Sequence, residues 1–326
     1  MILVTGGAGF IGSNLHAALD ARMVEVVVVD QLGNSGKWRN LRNHPPTQMI
    51  DPDNLFDYLA THPPIEAIVH LGAISETTAS DGDLVWRSNV TLSQDLWNWC
   101  VTRGVRFIYA SSASTYGNGS AGFDDTPDLA SLRRLRPLNL YGWSKHAFDL
   151  WVAQECAAGR NQPPQWVGLK FFNVYGPNEY HKGSMISVVK VKHDEIKAGR
   201  PATLFKSDRP GVADGAQARD FIWIDDVVDA LLFLIDRPEV SGLFNLGTGL
   251  ARTYADLVHA VCVAQGVDPQ IEFVPMPERL IGQYQSFTEA PMSRLRAAGF
   301  TQTFTPLETG VARYIKDFLN QSDPYR

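Results

Sequence analysis

The sequence has few of the residues that build cross-linked or metal-bound domains. Only three of its 326 residues are cysteines, and Cys100, Cys156 and Cys262 lie far apart in the chain. No C-x-x-C pair occurs. The spacing therefore indicates neither a disulfide framework nor a zinc site, and the three thiols are predicted to be packing residues in a reducing compartment.

The chain also lacks a long apolar run, an excess of positive charge and an internal repeat. No stretch approaches the ~20 apolar residues that span a bilayer. A net charge of -6 argues against sequence-independent binding to nucleic acid. Because a buried strand is predicted to begin at the N-terminus, a signal peptide is not expected. We therefore expect a cytoplasmic protein that binds neither membranes nor nucleic acid and holds no metal.

The N-terminal segment has the pattern of a dinucleotide-binding turn. An apolar stretch, residues 2–5, predicts a strand, and Gly6, Gly9 and Gly12 follow it as a predicted helix, residues 10–22, begins. The first glycine permits the turn, the second lets a pyrophosphate approach the backbone, and the third allows the helix to pack closely on the strand. The helix N-terminus then faces the phosphates with its positive dipole end.

An acidic residue follows the second predicted strand, residues 24–29. Asp30 lies where an acid is expected to contact the adenine ribose, and by itself it favours NAD because a carboxylate repels a 2′-phosphate. Lys37, Arg39 and Arg42 follow within a polar loop and supply compensating positive charge. NADP is the predicted cofactor, and NAD is the alternative.

Strand and helix signals alternate through the first half of the chain. Strands are predicted over residues 2–5, 24–29, 65–71, 105–110 and 166–172, and helices over residues 10–22, 84–103 and 140–158. Apolar strands separated by helices predict an α/β fold in which a doubly wound parallel sheet of the Rossmann type spans residues 1–172.

The second half has shorter and more mixed elements. Residues 173–326 are predicted to form a smaller C-terminal α/β substrate domain, with residues 221–245 returning to the Rossmann domain. Strands are predicted over residues 221–224 and 244–249, and helices over residues 185–198, 226–236, 254–264 and 306–319. Asp225 is predicted to cap the second of these helices.

Tyr141, Lys145 and Ser112 form a candidate catalytic group. The first two are four residues apart on a predicted helix and therefore share one face. A lysine ammonium favours the phenolate and lowers the tyrosine pKa, so that the phenol can take a proton from an alcohol. Ser112 lies just beyond a predicted strand, where open α/β sheets place their active sites. The plainer alternatives are a surface pair on a helix and a loop that satisfies its own backbone.

Together, these segments resemble the extended short-chain dehydrogenase/reductase family of nucleotide-sugar enzymes. Residues 219–227 and 244–249 are similar to later motifs of that family. Residues 181–185, 282–288 and 296–300 further resemble one branch, the ADP-glyceromanno-heptose 6-epimerases. This resemblance implies inversion of carbon 6 of an ADP-heptose by transient oxidation with bound NADP, a place in lipopolysaccharide core biosynthesis, and a homo-oligomer.

The resemblance also implies roles for individual residues. Tyr141 and Lys182 would be the two acid/base groups, Lys145 would orient the cofactor ribose, Ser112 would hold the reacting oxygen, and His181 is interpreted as a structural neighbour. The implied cofactor contacts are Gly6, Gly9, Phe10, Ile11, Gly12, Asp30, Gln31, Lys37, Leu71, Gly72, Ala73, Ser75, Asn89, Tyr141, Lys145 and Val174. The implied substrate contacts are Ser112, Asn173, Lys182, Ser184, Phe205, Arg219 and Tyr284.

Two other functions remain open from the sequence. The first is another nucleotide-sugar epimerase or dehydratase, such as a UDP-hexose 4-epimerase. A 4,6-dehydratase usually has an acid pair close to the serine, whereas Ala113, Ser114 and Thr115 follow Ser112 here. The second is a non-catalytic NADP-sensing protein on the same fold. Trp97 is predicted to lie either in the core or at a subunit contact, since helical spacing does not separate these positions.

Overall fold

A seven-stranded parallel sheet forms the centre of the molecule in the computed structural model, which describes residues 1–208, 210–278 and 285–326. The strands are β1 (Ile2–Thr5), β2 (Val26–Val29), β3 (Gln48–Ile50), β4 (Ala67–His70), β5 (Arg106–Ser112), β6 (Trp166–Phe171), β7 (Asn173–Tyr175), β8 (Ala202–Phe205), β9 (Ala218–Arg219), β10 (Phe221–Trp223), β11 (Gly242–Leu246), β12 (Arg252–Thr253) and β13 (Ile271–Val274). The sheet has the order β3-β2-β1-β4-β5-β6-β11, and every neighbouring pair is parallel.

Helices connect these strands and cover both faces of the sheet. They are α1 (Phe10–Ala21), α2 (Leu55–Ala60), α3 (Gly82–Trp86), α4 (Leu92–Arg103), α5 (Leu129–Leu132), α6 (Leu140–Ala157), α7 (Val188–Lys197), α8 (Ile224–Asp236), α9 (Tyr254–Gln265), α10 (Ser293–Ala297) and α11 (Leu307–Arg313). Because the strand order reverses at β1, the carboxyl ends of β1 and β4 border the crevice in which doubly wound folds bind their ligands.

Alternate residues of the central strands enter two apolar clusters, one on each face of the sheet. Val4 and Val28 belong to one cluster, and their neighbours Leu3 and Val27 belong to the other. This division follows from the two-residue period of a strand. Burial on both faces explains why β1, β2 and β4 are almost wholly apolar, which is the pattern that predicted a parallel sheet.

Three small ladders build much of the second half of the chain. The β7–β10 and β8–β13 pairs are parallel, and the β9–β12 pair is antiparallel. The chain then re-enters the central sheet, where β11 pairs with β6. Helix α8 packs against α1. Segments far apart in sequence are thereby brought to the crevice at the carboxyl ends of the strands.

The doubly wound parallel sheet predicted from the sequence is confirmed, and the differences are local. The predicted helix over residues 84–103 is continuous but contains a π-helical turn, Arg87–Thr91. Helix α7 begins at Val188, later than predicted, because the Ser187 side chain caps it. The prediction that Asp225 caps α8 is wrong, since the helix begins at Ile224 and Asp225 lies in its first turn.

Trp97 belongs to the core. It is buried and its ring contacts those of Phe107, Trp151 and Trp166. Two of the cysteines, Cys100 and Cys262, are likewise buried, and all three thiols are free. Across the described part of the chain, no helix combines the length and the apolar character needed to cross a bilayer.

Candidate active site

A cleft of about 310 Å³ opens at the carboxyl ends of the central strands. It gathers residues from the glycine-rich turn, from the segment after β4, from α6 and from the turn before α7. Its lining residues are Gly6, Gly9, Phe10, Ile11, Gly12, Asp30, Lys37, Leu71, Gly72, Ala73, Ser75, Ala110, Ser112, Tyr141, Lys145, Phe171, Phe172, Val174, His181 and Lys182.

The glycine-rich turn is closed too tightly for any other residue at two of its positions. Gly6 has a positive φ of 67°, and a Cβ atom there would lie 2.7 Å from the backbone nitrogen of Gly72. At Gly12 a Cβ atom would lie 2.2 Å from the carbonyl oxygen of Gly6. The first turn of α1 therefore packs directly on the backbone after β1, and its N–H groups face the cleft.

Asp30 directly follows β2 and lines the cleft, at the start of the loop that carries Lys37. Its carboxylate accepts hydrogen bonds from the backbone N–H groups of Ala8 at 2.9 Å and Gln31 at 2.8 Å. Lys37 approaches the same carboxylate at 2.7 Å, and both side chains are largely buried. The side chain of Gln31 points to solvent and does not line the cleft.

Asn89 supports the cleft wall from behind rather than lining it. Its amide accepts from the N–H of Ile74 and donates to the carbonyl of the same residue, both at 2.9 Å. It also donates to the Ser144 hydroxyl of α6 at 3.0 Å. This fully buried side chain thus fixes the segment between Ala73 and Ser75, which do line the cleft.

Ser112 and Tyr141 meet because α6 begins against the loop that follows β5. The side chain of Asn139 caps α6 by accepting from the N–H of Gly142 at 2.8 Å. A Cβ atom at Gly142 would lie 2.7 Å from the Ser114 carbonyl oxygen, so only glycine allows this approach. Ser112 hydrogen-bonds Tyr141, which is the second residue of the helix.

Burial is the main cause of the shifted pKa values of Tyr141 and Lys145. It raises the pKa of Tyr141, and the hydrogen bond with Ser112 opposes this rise. Burial lowers the pKa of Lys145 to about 8, although the negative charge of Asp149 opposes the fall. The expectation that Lys145 lowers the tyrosine pKa is therefore wrong for the protein without ligand, because loss of hydration is the larger effect.

A buried ion pair lies beneath this group. Lys170 and Asp149 are fully buried, 2.6 Å apart. Asp149 also accepts from the Ser111 hydroxyl at 2.7 Å, and Lys170 donates to the Thr115 hydroxyl at 2.7 Å. Because Ser111 and Thr115 flank Ser112 in sequence, the pair fixes the loop that presents the serine to Tyr141.

Lys182 reaches the cleft from a different segment, the 3₁₀ turn Tyr180–Met185. Its ammonium lies 5.4 Å from the centre of the Phe10 ring at the start of α1. Burial lowers the pKa of Lys182, and Glu179 opposes this shift. The structure therefore brings Tyr141, Lys145, Ser112 and Lys182 to one cleft.

His181 lies beside Lys182 and also lines the cleft. Its Nδ1 atom is 3.1 Å from the side-chain nitrogen of Asn40, which donates to the Ala8 carbonyl at 2.9 Å. Burial and the charges of Lys37 and Lys182 lower its pKa to about 4. The charge of Asp30 and a hydrogen bond with a backbone carbonyl oppose this shift. The histidine is thus neutral near pH 7 and links the Lys182 turn to the glycine-rich turn.

Of the residues with an implied substrate role, Ser112 and Lys182 line the cleft, whereas the other described ones occupy neighbouring strands and turns. The N–H of Asn173 donates to the Asp220 carbonyl at 3.0 Å, which places Asn173 next to the strand of Arg219. Arg219 is buried beside the Tyr254 ring. Ser184 is exposed on the Lys182 turn, and Phe205 ends β8. Tyr284 lies outside the described residues.

The sequence-based assignment missed three apolar residues of the cleft. Ala110, Phe171 and Phe172 line it at the carboxyl ends of β5 and β6. A signal was present, because residues at the carboxyl ends of parallel strands face the crevice. Their apolar character gave no chemical reason to separate them from the core.

Comparison with known proteins identifies the family. A model of the NAD dependent epimerase/dehydratase family matches residues 2–247. The ADP-L-glycero-D-manno-heptose-6-epimerase of Nitratidesulfovibrio vulgaris strain DP4 is 47% identical over 330 residues and covers 100% of both chains. The chain belongs to the NAD dependent epimerase/dehydratase family. This confirms the resemblance that the sequence motifs indicated.

Solved structures of the epimerase/dehydratase family agree with this assignment. The crystal structure of Helicobacter pylori ADP-L-glycero-D-manno-heptose-6-epimerase superposes with a TM-score of 0.78 at 28% identity, covering 97% of this chain and 95% of that one. The UDP-glucose 4-epimerase of Thermus thermophilus, in complex with NAD, gives a TM-score of 0.72 at 26% identity, covering 95% and 96%.

The cleft fits the nicotinamide dinucleotide of the epimerase/dehydratase family. Gly9 carries no side chain at the N-terminus of α1, where this fold places a pyrophosphate, and Asp30 follows β2, where this fold places an acid for the ribose. Lys145 and Tyr141 line the same cleft, together with Ser112. The residues present therefore supply both a phosphate-binding turn and polar groups for the rest of a dinucleotide.

The contact at Gly12 predicts a specific loss of cofactor binding. In a Gly12→Ala variant the added methyl group meets a backbone carbonyl, which cannot rotate away, so the first turn of α1 must shift. We expect dinucleotide affinity to fall by about tenfold or more, measured by fluorescence titration. Gly82→Ala is the control, because no atom lies within 4 Å of its added Cβ. Equal affinities for both variants would show that the contact does not shape the site.

Proposed function

We propose that this family member inverts carbon 6 of ADP-D-glycero-D-manno-heptose to give ADP-L-glycero-D-manno-heptose, with NADP as its bound cofactor. The observation that carries the proposal is the presence of two proton-handling groups, Tyr141 and Lys182, in the lining of one cleft that also contains the glycine-rich turn and Asp30. The full-length relative from Nitratidesulfovibrio vulgaris, which bears the name of that activity, supports the same reaction.

The substrate chemistry explains why two such groups are needed. Carbon 6 bears a secondary alcohol without an adjacent carbonyl, so removal of a proton alone does not invert it. A bound nicotinamide dinucleotide supplies the hydride acceptor and later the hydride donor. After the sugar turns its other face to the cofactor, its oxygen lies at a different place, and a different side chain must handle its proton.

Each residue then has a stated task. Tyr141, held by its hydrogen bond with Ser112, exchanges the proton of the substrate hydroxyl in one orientation of the sugar. Lys182 exchanges the proton in the other orientation. Lys145 lies one helical turn from Tyr141 and binds the cofactor ribose.

The described substrate residues Asn173, Ser184, Phe205 and Arg219 belong to the second half of the chain. We assign Asn173, Ser184, Phe205 and Tyr284 to the sugar and nucleotide, and Arg219 to the diphosphate, since a guanidinium suits a phosphate group. Ala218, beside Arg219, exchanges hydrogen bonds with residues 286 and 288. The strand of Arg219 is therefore joined to the chain that follows Tyr284.

The reaction is tested by incubating the purified protein with ADP-D-glycero-D-manno-heptose and following the configuration of carbon 6 by NMR. We expect inversion, and a Lys182→Met variant is expected to lose roughly 100-fold or more in rate, the scale of a lost acid/base group. Lys197→Met, on the exposed surface of α7, is the matched control. UDP-glucose and UDP-galactose serve as control substrates.

Two results would contradict this proposal. Inversion at carbon 4 of the UDP-sugars without inversion of the heptose would indicate a hexose 4-epimerase. A normal rate for Lys182→Met in both directions would contradict the assignment of two acid/base groups. Binding of a sugar nucleotide without any turnover would indicate a sensor.

NADP is favoured over NAD by the surroundings of Asp30. Its carboxylate would repel a 2′-phosphate, but Lys37 pairs with it and lines the cleft. The other cations of this loop are occupied elsewhere, since Arg39 lies over the Trp38 ring and Arg42 pairs with Asp323. No lysine is found among residues 51–53 to share the task. The proposed 2′-phosphate contact therefore depends on Lys37.

A Lys37→Met variant tests the cofactor preference. Loss of a charge-assisted hydrogen bond to the 2′-phosphate is expected to weaken NADP binding by about tenfold or more, whereas NAD binding changes less. Arg39→Met is the control, because this side chain is exposed outside the cleft. Tighter binding of NAD than of NADP by the parent protein would show that NAD is the cofactor.

We further propose a homo-oligomer in the cytoplasm that serves lipopolysaccharide core synthesis. An apolar surface patch supports the oligomer. Leu84, Trp86 and Trp143 are 43%, 39% and 45% exposed, and the two indole rings lie 5.4 Å apart. Exposed apolar side chains grouped in this way are typical of protein–protein interfaces. The patch joins α3 to the start of α6, next to Tyr141.

A charged substitution in the patch tests the oligomer. Trp143→Glu would place a carboxylate in the contact, and we expect the molar mass in light scattering to fall to that of a single chain. Trp38→Glu is the control, since Trp38 is 51% exposed on a different surface. An unchanged mass for Trp143→Glu, or a monomeric parent protein, would contradict the assignment.

A further inference from the structure

We propose that Glu179 is the positioning residue of Lys182: it anchors the turn that carries the lysine and places a buried carboxylate at the start of that turn. This inference rests on the proposed function, in which Lys182 handles a substrate proton. Three observations support it, namely the hydrogen bonds of Glu179, the surroundings of Lys182 and the attachment of the turn.

Three hydrogen bonds hold the carboxylate of Glu179. It is fully buried and accepts from the N–H and the hydroxyl of Ser187, both at 2.6 Å, and from the Tyr314 hydroxyl at 2.9 Å. Ser187 caps α7, and Tyr314 follows α11. The residue therefore joins the turn to two helices, and its charge has a fixed position.

The backbone connects Glu179 directly to Lys182. The N–H of Lys182 donates to the Glu179 carbonyl at 3.0 Å and closes the first part of the 3₁₀ turn. Among the described residues, the Lys182 ammonium makes no direct ion pair, and its one recorded side-chain contact is with the Phe10 ring. The lysine thus lies open to the cleft, with a buried carboxylate behind it.

The Glu179 carboxylate and the Lys182 ammonium affect each other's pKa. Burial lowers the pKa of Lys182, and Glu179 opposes that shift. Reciprocally, burial raises the pKa of Glu179, and the hydrogen bonds from Ser187 and the charge of Lys182 oppose the rise. The other charged or titratable groups around the cleft are His181 on the same turn, Asp30 paired with Lys37, and Tyr141 and Lys145 on α6.

The turn has a second attachment that is independent of this charge. The Tyr180 hydroxyl donates to the Pro324 carbonyl at 2.7 Å, and the N–H of Arg326 donates to the side chain of Asn178 at 3.0 Å. The C-terminal segment thereby holds the turn from outside. The position of the turn and the charge of Glu179 can therefore be altered separately.

Competitive labelling of lysines tests the inference without relying on turnover. Trace acetic anhydride reacts only with neutral amines, and mass spectrometry of the peptides gives the pH at which each lysine loses its proton. In Glu179→Gln, which keeps an acceptor oxygen but removes the charge, the Lys182 midpoint should move to lower pH. Its labelling at pH 7 should rise by roughly threefold or more. The Lys37 peptide is the internal standard.

Two further variants separate charge from structure. Ser187→Ala removes a hydrogen bond that favours the charged form of Glu179, so a smaller shift in the same direction is expected, and this variant decides the matter if Glu179→Gln does not fold. Tyr325→Ala loosens the turn at its C-terminal attachment, where the Tyr325 ring lies 5.0 Å from that of Tyr180, and its Lys182 midpoint should not move.

The pH–rate profile supplies the second readout. Loss of the Glu179 carboxylate should move the part of the pH–rate profile that reflects Lys182 titration to lower pH. A merely structural role would instead lower the rate equally at every pH. Unchanged Lys182 midpoints in folded Glu179→Gln and Ser187→Ala would overturn the inference and leave the two-group mechanism intact. A fully active Lys182→Met would instead overturn the proposed function.

Discussion

The contact between the first turn of α1 and the backbone after β1 governs the whole site. Gly12 approaches the Gly6 carbonyl so closely that a single methyl group would fill the space between them. This approach aims the helix N-terminus into the crevice at the switch point of the sheet. The sheet register then fixes how far the carboxyl ends of β4, β5 and β6 lie from the glycine-rich turn. The residues that follow these strands are positioned in the same way.

Burial is the second constraint, and it acts on four ionisable groups of the cleft. It raises the pKa of Tyr141 and lowers those of Lys145, Lys182 and His181. A specific partner opposes each of the first three shifts, namely Ser112, Asp149 and Glu179. The site therefore contains weakly hydrated acids and bases whose protonation depends on fixed neighbours rather than on water.

The two halves of the chain contribute different parts of this chemistry. The sheet and α6 provide the dinucleotide cradle with Tyr141 and Lys145, whereas the turn before α7 provides Lys182. That turn is held by Glu179 and by the C-terminal segment. An epimerisation that needs proton transfer at two positions of one oxygen requires two such groups, and here they come from separate segments, α6 and the turn before α7. The arrangement suits this requirement better than a single catalytic residue would.

Much of the site was predictable from local sequence. Sequence spacing identified three features, namely the glycines of the turn, Asp30 after β2, and Tyr141 with Lys145 one helical turn apart. These features predicted the doubly wound sheet and gathered most of the cleft lining. The family resemblance added Lys182, whose surroundings in the sequence are those of an ordinary polar loop. The short strands β7, β8 and β9 were less visible, because strands of two to four residues have almost no periodicity.

Tertiary structure alone decided how these residues behave. The pKa of Tyr141 rises rather than falls because long-range packing removes water from the phenol. Asn89 lies behind the wall because its amide is matched to the Ile74 backbone, 15 residues away. Lys37 reaches Asp30, and His181 reaches Asn40, across a loop and a turn that no local pattern joins. Sequence by itself determined which chemical groups are present and which strands carry them. Desolvation, charge pairing and register depend on residues distant in the chain, and the fold therefore had to decide them.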